Sequence, residues 1–253
     1  MPHSRSVSPT SRPSRTKLCA AAALAAAAAG GVLLYQPSSH AADEPRPLPS
    51  PAMDARLAAG GAAHGLQTVV VAGGCFWGVQ GVFEHVRGVE SAVAGYAGGA
   101  AKTADYESVS TGDTGHAEAV RITYDPAQIS YGQVLRIFFS VALDPTEVNR
   151  QGPDVGTQYR SEVFASTPEQ AEATRAYIAQ LDQAHAFPRP IATRVDPLTG
   201  FYPAEAYHQD YLARHPDNLY IAINDVPKVR ELQRLFPESY VEQPALVLQA
   251  PSE

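Results

Sequence analysis

The 253-residue chain is 45% hydrophobic and 18% charged, a balance that suits a globular protein of one or at most two domains and excludes both a disordered acidic chain and a disulfide-dense scaffold. Four of its 19 basic residues, Arg5, Arg12, Arg15 and Lys17, precede the first acid, Asp43, so the chain beyond residue 41 has 15 cations against 26 anions, a net charge of −11. An acidic body without a basic stripe argues against nucleic acid and anionic membrane surfaces as partners, and two cysteines, Cys19 and Cys75, are too few for a structural zinc site.

Residues 1–17 are basic, Ser-rich and free of acids, and an uncharged Ala/Leu/Val/Gly run, Leu18 to Tyr35, follows. This is the layout of a signal peptide. Ser39 and Ala41 supply the small residues that a cleavage before Ala42 requires, so 1–41 is expected to be removed. The protein is then periplasmic or secreted, with retention of the leader as an N-terminal membrane anchor as the alternative. Residues 42–66, with Pro45, Pro47, Pro49 and Pro51 followed by Ala and Gly, predict a tether with no fold of its own.

The folded part begins with the apolar run Val69-Val70-Val71 within 67–72, the composition of a buried strand, which Gly73-Gly74 breaks just before Cys75. Phe76, Val79, Phe83 and Val86 recur at helical spacing and predict a helix over 75–86. A strand is expected at 89–94, a Gly-rich loop from Gly95 that holds Tyr106, and an alternating strand at 116–124. Ser130 and Gln133 form a capping-box pattern before the apolar face Val134, Ile137, Phe138 and Val141. Residues 144–158, with two Pro and two Gly, read as a long functional loop before a strand at 159–165. Thr167-Pro168-Glu169-Gln170 is a helix start. A strand at 191–195 and helices at 204–214 and 227–236 complete the catalytic domain, 67–240, and 241–253 reads as a tail. Helices and strands interleave irregularly, which predicts one α+β domain.

Placed after a strand and a Gly-Gly turn, where a helix begins, the Cys75 sulfur would face unpaired backbone amides and the positive end of the helix dipole, and both favour thiolate. A lone cysteine is also commonly a small buried hydrophobe, and Phe76 and Trp77 beside it could be core or could wall an apolar pocket.

The segments Gly73-Gly-Cys-Phe-Trp-Gly78, Gly95-Tyr-Ala-Gly-Gly99, Gly115-His-Ala-Glu118, Asp154-Val-Gly-Thr-Gln-Tyr-Arg-Ser161 and Ala204-Glu-Ala-Tyr-His-Gln209, in this order, resemble the A-type peptide methionine sulfoxide reductases. The resemblance covers about Thr68 to Phe236. It implies a two-layer α/β sandwich with a mixed sheet, a ferredoxin-like core with additions, and reduction of methionine S-sulfoxide in proteins. A sulfoxide has an electrophilic sulfur and a basic oxygen, so its reduction needs a nucleophile and a proton donor. By resemblance Cys75 is the nucleophile and Glu118 the acid, which requires a partly desolvated carboxyl because an ordinary glutamate has a pKa of about 4.3. The same resemblance gives Tyr106 and Tyr159 as donors to the sulfoxide oxygen, Asp154 as the carboxylate supporting them, and Phe76 and Trp77 as the walls that receive the methyl group and make the pocket chiral. His116 and His208 lie inside the motifs and are read as structural.

Many relatives resolve the resulting sulfenic acid with a second cysteine near the C terminus. Here Tyr220-Ile221 stands where those relatives have Tyr-Cys, and no cysteine follows Cys75. A one-cysteine enzyme is therefore expected, reduced by an external thiol, either a small molecule or a thioredoxin- or glutaredoxin-like protein. No metal or bound organic cofactor is expected. Oxidised proteins are the substrates and the chain is expected to be a monomer. Two other functions fit parts of the sequence. His208 and Asn224 lie 133 and 149 residues after Cys75, within the spacing of papain-like hydrolases, but that reading leaves Glu118, Tyr106 and Tyr159 idle. An exported peptide-binding module with an inert Cys75 is the non-enzymatic alternative.

Overall fold

The computed structural model describes residues 47–53 and 65–248. The leader, its cleavage point and the last five residues lie outside the described part.

Six strands form one mixed sheet: β1 (Gln67–Gly73), β2 (Val89–Ala97), β3 (Ala117–Tyr124), β6 (Ser161–Ala165), β7 (Arg194–Pro197) and β8 (Phe201–Pro203), in the order β7-β6-β1-β3-β2-β8. Every pairing is antiparallel except β6 with β7. A two-residue pair, β4 (Arg150–Gln151) and β5 (Asp154–Val155), forms a separate small hairpin in the long loop. The domain is α+β, with helices layered on the sheet, as the resemblance implied.

The valine run of β1 is buried on both faces. Val69 and Val71 enter the main core, whereas Val70 and Ala72 join Ala97, Ala117, Ala119 and Phe164 in a second cluster. Strands covered on both sides read as continuous apolar runs, not alternating ones. On β3 the same alternation sends Ala117 and Ala119 to the small cluster and Val120 and Ile122, in register with Val71 and Val69, to the main core. Glu118, two residues before Val120, thus faces the helical layer.

That layer is centred on α1 (Phe76–Glu84), whose N-cap is Cys75, so the helix begins one residue later than the apolar spacing predicts. Gly74 makes the turn possible: its φ is +87°, and a Cβ there would collide with the Gln151 side chain. Helix α2 (Tyr106–Val109) is capped by Asp105, which accepts from Ser108 N at 2.9 Å. The capping box is present at α3 (Tyr131–Ile137), with Ser130 Oγ accepting from Gln133 N and Gln133 Oε1 accepting from Ser130 N. The apolar face continues past it as one π-helical turn, Phe138–Ala142. Thr167 caps α4 (Pro168–Gln183).

The helix predicted at 204–214 is broken. A 3₁₀ turn, Ala206–His208, precedes α5 (Tyr211–Arg214), and Asp210 between them is left-handed at φ 56°. Gln209 explains the break, because its amide is committed to distant backbone: Oε1 accepts from Ala94 N at 2.9 Å, and Nε2 donates to Ala94 O at 2.9 Å and Ala204 O at 3.0 Å. Asp210 N in turn donates to Gln80 Oε1 at 3.1 Å. These bonds stitch β2 and α1 to the 204–210 segment and outweigh the local helical preference. After it come α6 (Leu219–Asn224), which had no sequence signal, and α7 (Val226–Leu235).

Part of the expected tether is packed onto the domain. Within residues 47–53, Leu48 is 2% exposed and sits in the main core. Its carbonyl accepts from Arg136 Nε at 2.7 Å, Pro49 O accepts from Tyr177 Oη at 2.8 Å, and Ser50 O accepts from Gln180 Nε2 at 2.9 Å. An extended Pro-rich strip has no internal hydrogen bonds, so its carbonyls are free to dock on side chains of α3 and α4. Leu48→Ala is expected to lower unfolding stability by about 2–3 kcal/mol, the lower part of the range for a buried leucine, and to leave turnover unchanged. Chemical denaturation beside an activity assay checks both, and an unchanged midpoint would show that the strap adds nothing. The expected tail is also partly docked: Val241 N and Ala245 N donate to the carbonyls of His85 and Glu84 at 2.9 and 2.8 Å, and Val247 N and Leu248 N donate to the Asp210 carboxylate at 2.9 and 2.8 Å. Beside that carboxylate, burial and the charge of Asp210 push Glu84 up to about 9, so Glu84 keeps its proton at neutral pH.

Candidate active site

The C-terminal end of β1, the start of α1 and the start of β3 meet at one point. Glu118 pairs across the sheet with Tyr96, and its Oε2 accepts the backbone N–H of Phe76 at 3.0 Å. The first amide of α1 is therefore spent on Glu118, the residue after Cys75 providing the link between acid and thiol. Burial pushes Glu118 up to about 8, against the lowering effect of the Phe76 N–H, and the carboxylates of Asp154 and Asp225 raise it further. Desolvation thus keeps this carboxyl protonated at neutral pH, the state a proton donor needs.

Cys75 departs from the electrostatic expectation. It is 9% exposed, and burial pushes its thiol well above the ordinary range. The charges of Glu118 and Asp225 push the same way, while the Trp77 backbone N–H and Lys228 pull it down. The backbone amide anticipated from the sequence is present, as that of Trp77, but loses to desolvation. A neutral Glu118 removes one of the two opposing charges, which couples the thiol and the carboxyl into a single titrating unit.

The tyrosine and aspartate residues singled out in the sequence converge on this pair. Tyr159 ends a 3₁₀ turn, Thr157–Tyr159, and burial, with the charges of Glu118, Asp154, Cys75 and Tyr106 in that order, pushes its phenol up, so it remains a donor at neutral pH. The Arg that follows fixes the turn: Arg160 donates to Thr157 O and to Gly115 O, both at 3.0 Å, and its Nε lies 2.5 Å from Glu162. One buried guanidinium thereby ties the Tyr159 turn to the loop that leads into Glu118. Tyr106 opens α2, its amide donates to Glu205 Oε1 at 2.9 Å, and its ring lies 4.6 Å from the His208 ring. Asp154 accepts the hydroxyl of Tyr220.

Phe76 and Trp77 wall the site with aromatic neighbours. The Phe76 centroid lies 5.0 Å from His208 and 5.9 Å from Tyr96, and Trp77 stacks on Tyr211 at 3.9 Å. His208, 2% exposed, accepts the Trp77 indole N–H at Nδ1 (3.2 Å), and its Nε2 is 3.9 Å from Glu205. Burial lowers its pKa, so it is a neutral prop for the tryptophan. His116 is held by Gly99 N and Ala100 O at 3.2 and 3.0 Å on the far side of Tyr96. Both histidines are structural in these contacts. Sequence reading missed Tyr220, Glu205, Asp225 and Lys228. Asp225 is fully buried, bonded to Lys228 at 3.1 Å, and close enough to α1 that a Cβ on Gly78 would collide with it. Glu205 stands inside the Ala204–Gln209 motif and Tyr220 beside the position that lacks a cysteine, but sequence reading gives neither a role; for Asp225 and Lys228 the one local signal is an acid and a lysine three apart at a helix start. The papain-type constellation is not formed: the ring of His208 is engaged by Trp77 and faces Glu205, and the side chain of Asn224 donates to Tyr220 O at 3.0 Å.

Fold and site together define a cysteine-based oxidoreductase, in which a buried thiol and a buried carboxyl lie on either side of the Phe76 amide, beside a cluster of aromatic rings. The sequence matches the family model described as peptide methionine sulfoxide reductase over residues 67–240. It is 57% identical over 189 residues to the peptide methionine sulfoxide reductase MsrA 2 of Mesorhizobium japonicum, covering 75% of this chain and 97% of that protein, and 51% identical over 181 residues to its namesake in Synechocystis, with 72% and 85% covered. Among solved structures it resembles methionine sulfoxide reductase A of Corynebacterium diphtheriae (TM-score 0.52, 34% identity, 61% of this chain and 77% of that one) and reduced Mxr1 of Saccharomyces cerevisiae (TM-score 0.55, 32% identity, 60% and 87%). The chain belongs to the peptide methionine sulfoxide reductases. Its reaction is the thiol-dependent reduction of methionine S-sulfoxide to methionine, which repairs oxidised proteins.

Proposed function

We propose that Cys75 carries this reaction as its nucleophile and Glu118 as its acid, in an exported, one-cysteine enzyme. The carrying observation is the buried Glu118 anchored by the amide next to Cys75, where burial favours its protonated form. The Cys75 thiolate donates an electron pair to the sulfoxide sulfur while Glu118 hands its proton to the oxygen. The hydroxyl then passes to the Cys75 sulfur, the bond between the two sulfurs breaks, and methionine leaves with two more electrons than it brought. Tyr159 and Tyr106 donate to the oxygen, Asp154 orients the set through Tyr220, and the Phe76–Trp77 wall receives the methyl group.

The sulfenic acid left on Cys75 is reduced from outside, by a small thiol or a thioredoxin- or glutaredoxin-like protein, because no later cysteine exists in the sequence. The basic, apolar leader supports export, and repair of envelope or secreted proteins is the role that follows. Mass spectrometry after exposure to methionine S-sulfoxide without reductant is expected to find one added oxygen on Cys75. An intramolecular Cys75–Cys19 disulfide in its place would remove the one-cysteine pathway.

A further inference from the structure

Cys75 borders a cavity that the acid and the aromatic wall do not line. A cavity of about 300 Å³ is lined by Cys75, Asp154, Tyr220, Ile223 and Lys228, among others, and by none of Phe76, Trp77, Tyr106, Glu118 or Tyr159. The thiol thus borders an opening formed by the long loop with α6 and α7, while the acid and the aromatic wall lie outside its lining.

Resting on the reductase reading, the chemistry of the second half-reaction assigns a use to this opening. Once methionine has left, the oxygen on the Cys75 sulfur lies toward Glu118 and Tyr159. Displacement at sulfur is collinear, so a thiol that expels this oxygen must approach from the opposite side. We propose that the cavity is the entry port for the reducing thiol, and that it takes a small thiol without net negative charge. Its volume is that of a small-molecule pocket. Carboxylates of Asp144, Asp154 and Glu231 line it. Asp144 and Glu231 are paired with Arg189 and Arg234 and Lys228 with Asp225, whereas Asp154 has no ion pair among the described residues and leaves the wall net negative.

In the first step the incoming sulfur forms a bond to the Cys75 sulfur, the S–O bond breaks, and the hydroxyl leaves as water with the proton that the thiol gives up. A second thiol attacks the mixed disulfide, is oxidised to the small-molecule disulfide, and returns Cys75 to the reduced state.

The test separates the two halves. Ile223, 62% exposed, is changed to Trp to fill the mouth of the cavity without disturbing the core. Methionine formed in a single turnover without reductant is expected to match wild type. Reduction of the oxidised enzyme by dithiothreitol is expected to slow by about tenfold, an increase of about 1.4 kcal/mol in barrier, and Ile223→Ala should reduce at least as fast as wild type. At equal thiolate concentration, mercaptoethanesulfonate should act about tenfold more slowly on wild type than mercaptoethanol. An unchanged dithiothreitol step in Ile223→Trp, or parallel loss of both half-reactions, overturns the port. Equal rates for the two mercaptans overturn its charge preference, and a block that affects a thioredoxin but not dithiothreitol overturns the small-thiol assignment. If wild type itself forms no methionine in the single turnover, the reductase reading fails first and the port falls with it.

Discussion

Cys75→Ser is expected to abolish multiple turnover of methionine S-sulfoxide, by about 10⁴-fold or more, the scale of losing a nucleophile. Serine is nearly isosteric and the N-cap position of α1 makes no side-chain cap bond, so the fold should be unaffected. The loss is chemical: a hydroxyl in this buried, carboxylate-flanked position has no accessible anion, and an oxygen cannot accept the hydroxyl group that a thiol stores as sulfenic acid. Reductant-dependent turnover of the two purified sulfoxide diastereomers measures it. Residual turnover of the S form within tenfold of wild type would mean that the reaction does not pass through this sulfur.

Glu118→Gln is expected to lower kcat/KM by about 10²- to 10⁴-fold, the usual contribution of a general acid. The amide oxygen can still accept the Phe76 N–H that fixes the start of α1, so geometry is retained and only the acidic proton is lost. The pH profile adds a sharper reading. Glu118 lies at about 8 and Cys75 well above its ordinary value, so below about 8 both groups are protonated and no thiolate exists. Once the first proton leaves, the remaining one is shared, and the minor form with thiolate and neutral carboxyl is the reactive one. The wild-type kcat/KM is therefore expected to rise with pH through about 8. In the Gln variant that inflection should disappear. A wild-type profile that falls over this range would contradict the assignment of the proton.

The sheet strands around the site were legible from composition because of their burial. Val69-Val70-Val71 is covered on both faces, and the Gly-Gly break after it has a steric cause in the left-handed Gly74 beside Gln151. Helices with their own caps, at Ser130 and Thr167, were equally visible. Segments held by distant partners were not. The predicted helix at 204–214 gave way to a left-handed Asp210 because Gln209 bonds Ala94, 115 residues away. Leu48 reads as linker until the cleft between α3 and α4 exists to receive it.

The order of motifs around Cys75 determined the family and the chemistry, since a thiol, an acid and oxygen-binding phenols must be specific residue types whatever fold carries them. Which of those groups holds the proton was decided only by the tertiary structure. Residue type sets an ordinary pKa, but its displacement comes from burial and from charges brought together by folding: Glu118 facing the helical layer, and Asp225 and Lys228, some 150 residues after Cys75, pressed against α1. Desolvation and Coulomb energy depend on distances in space, and no local pattern of residues encodes those distances.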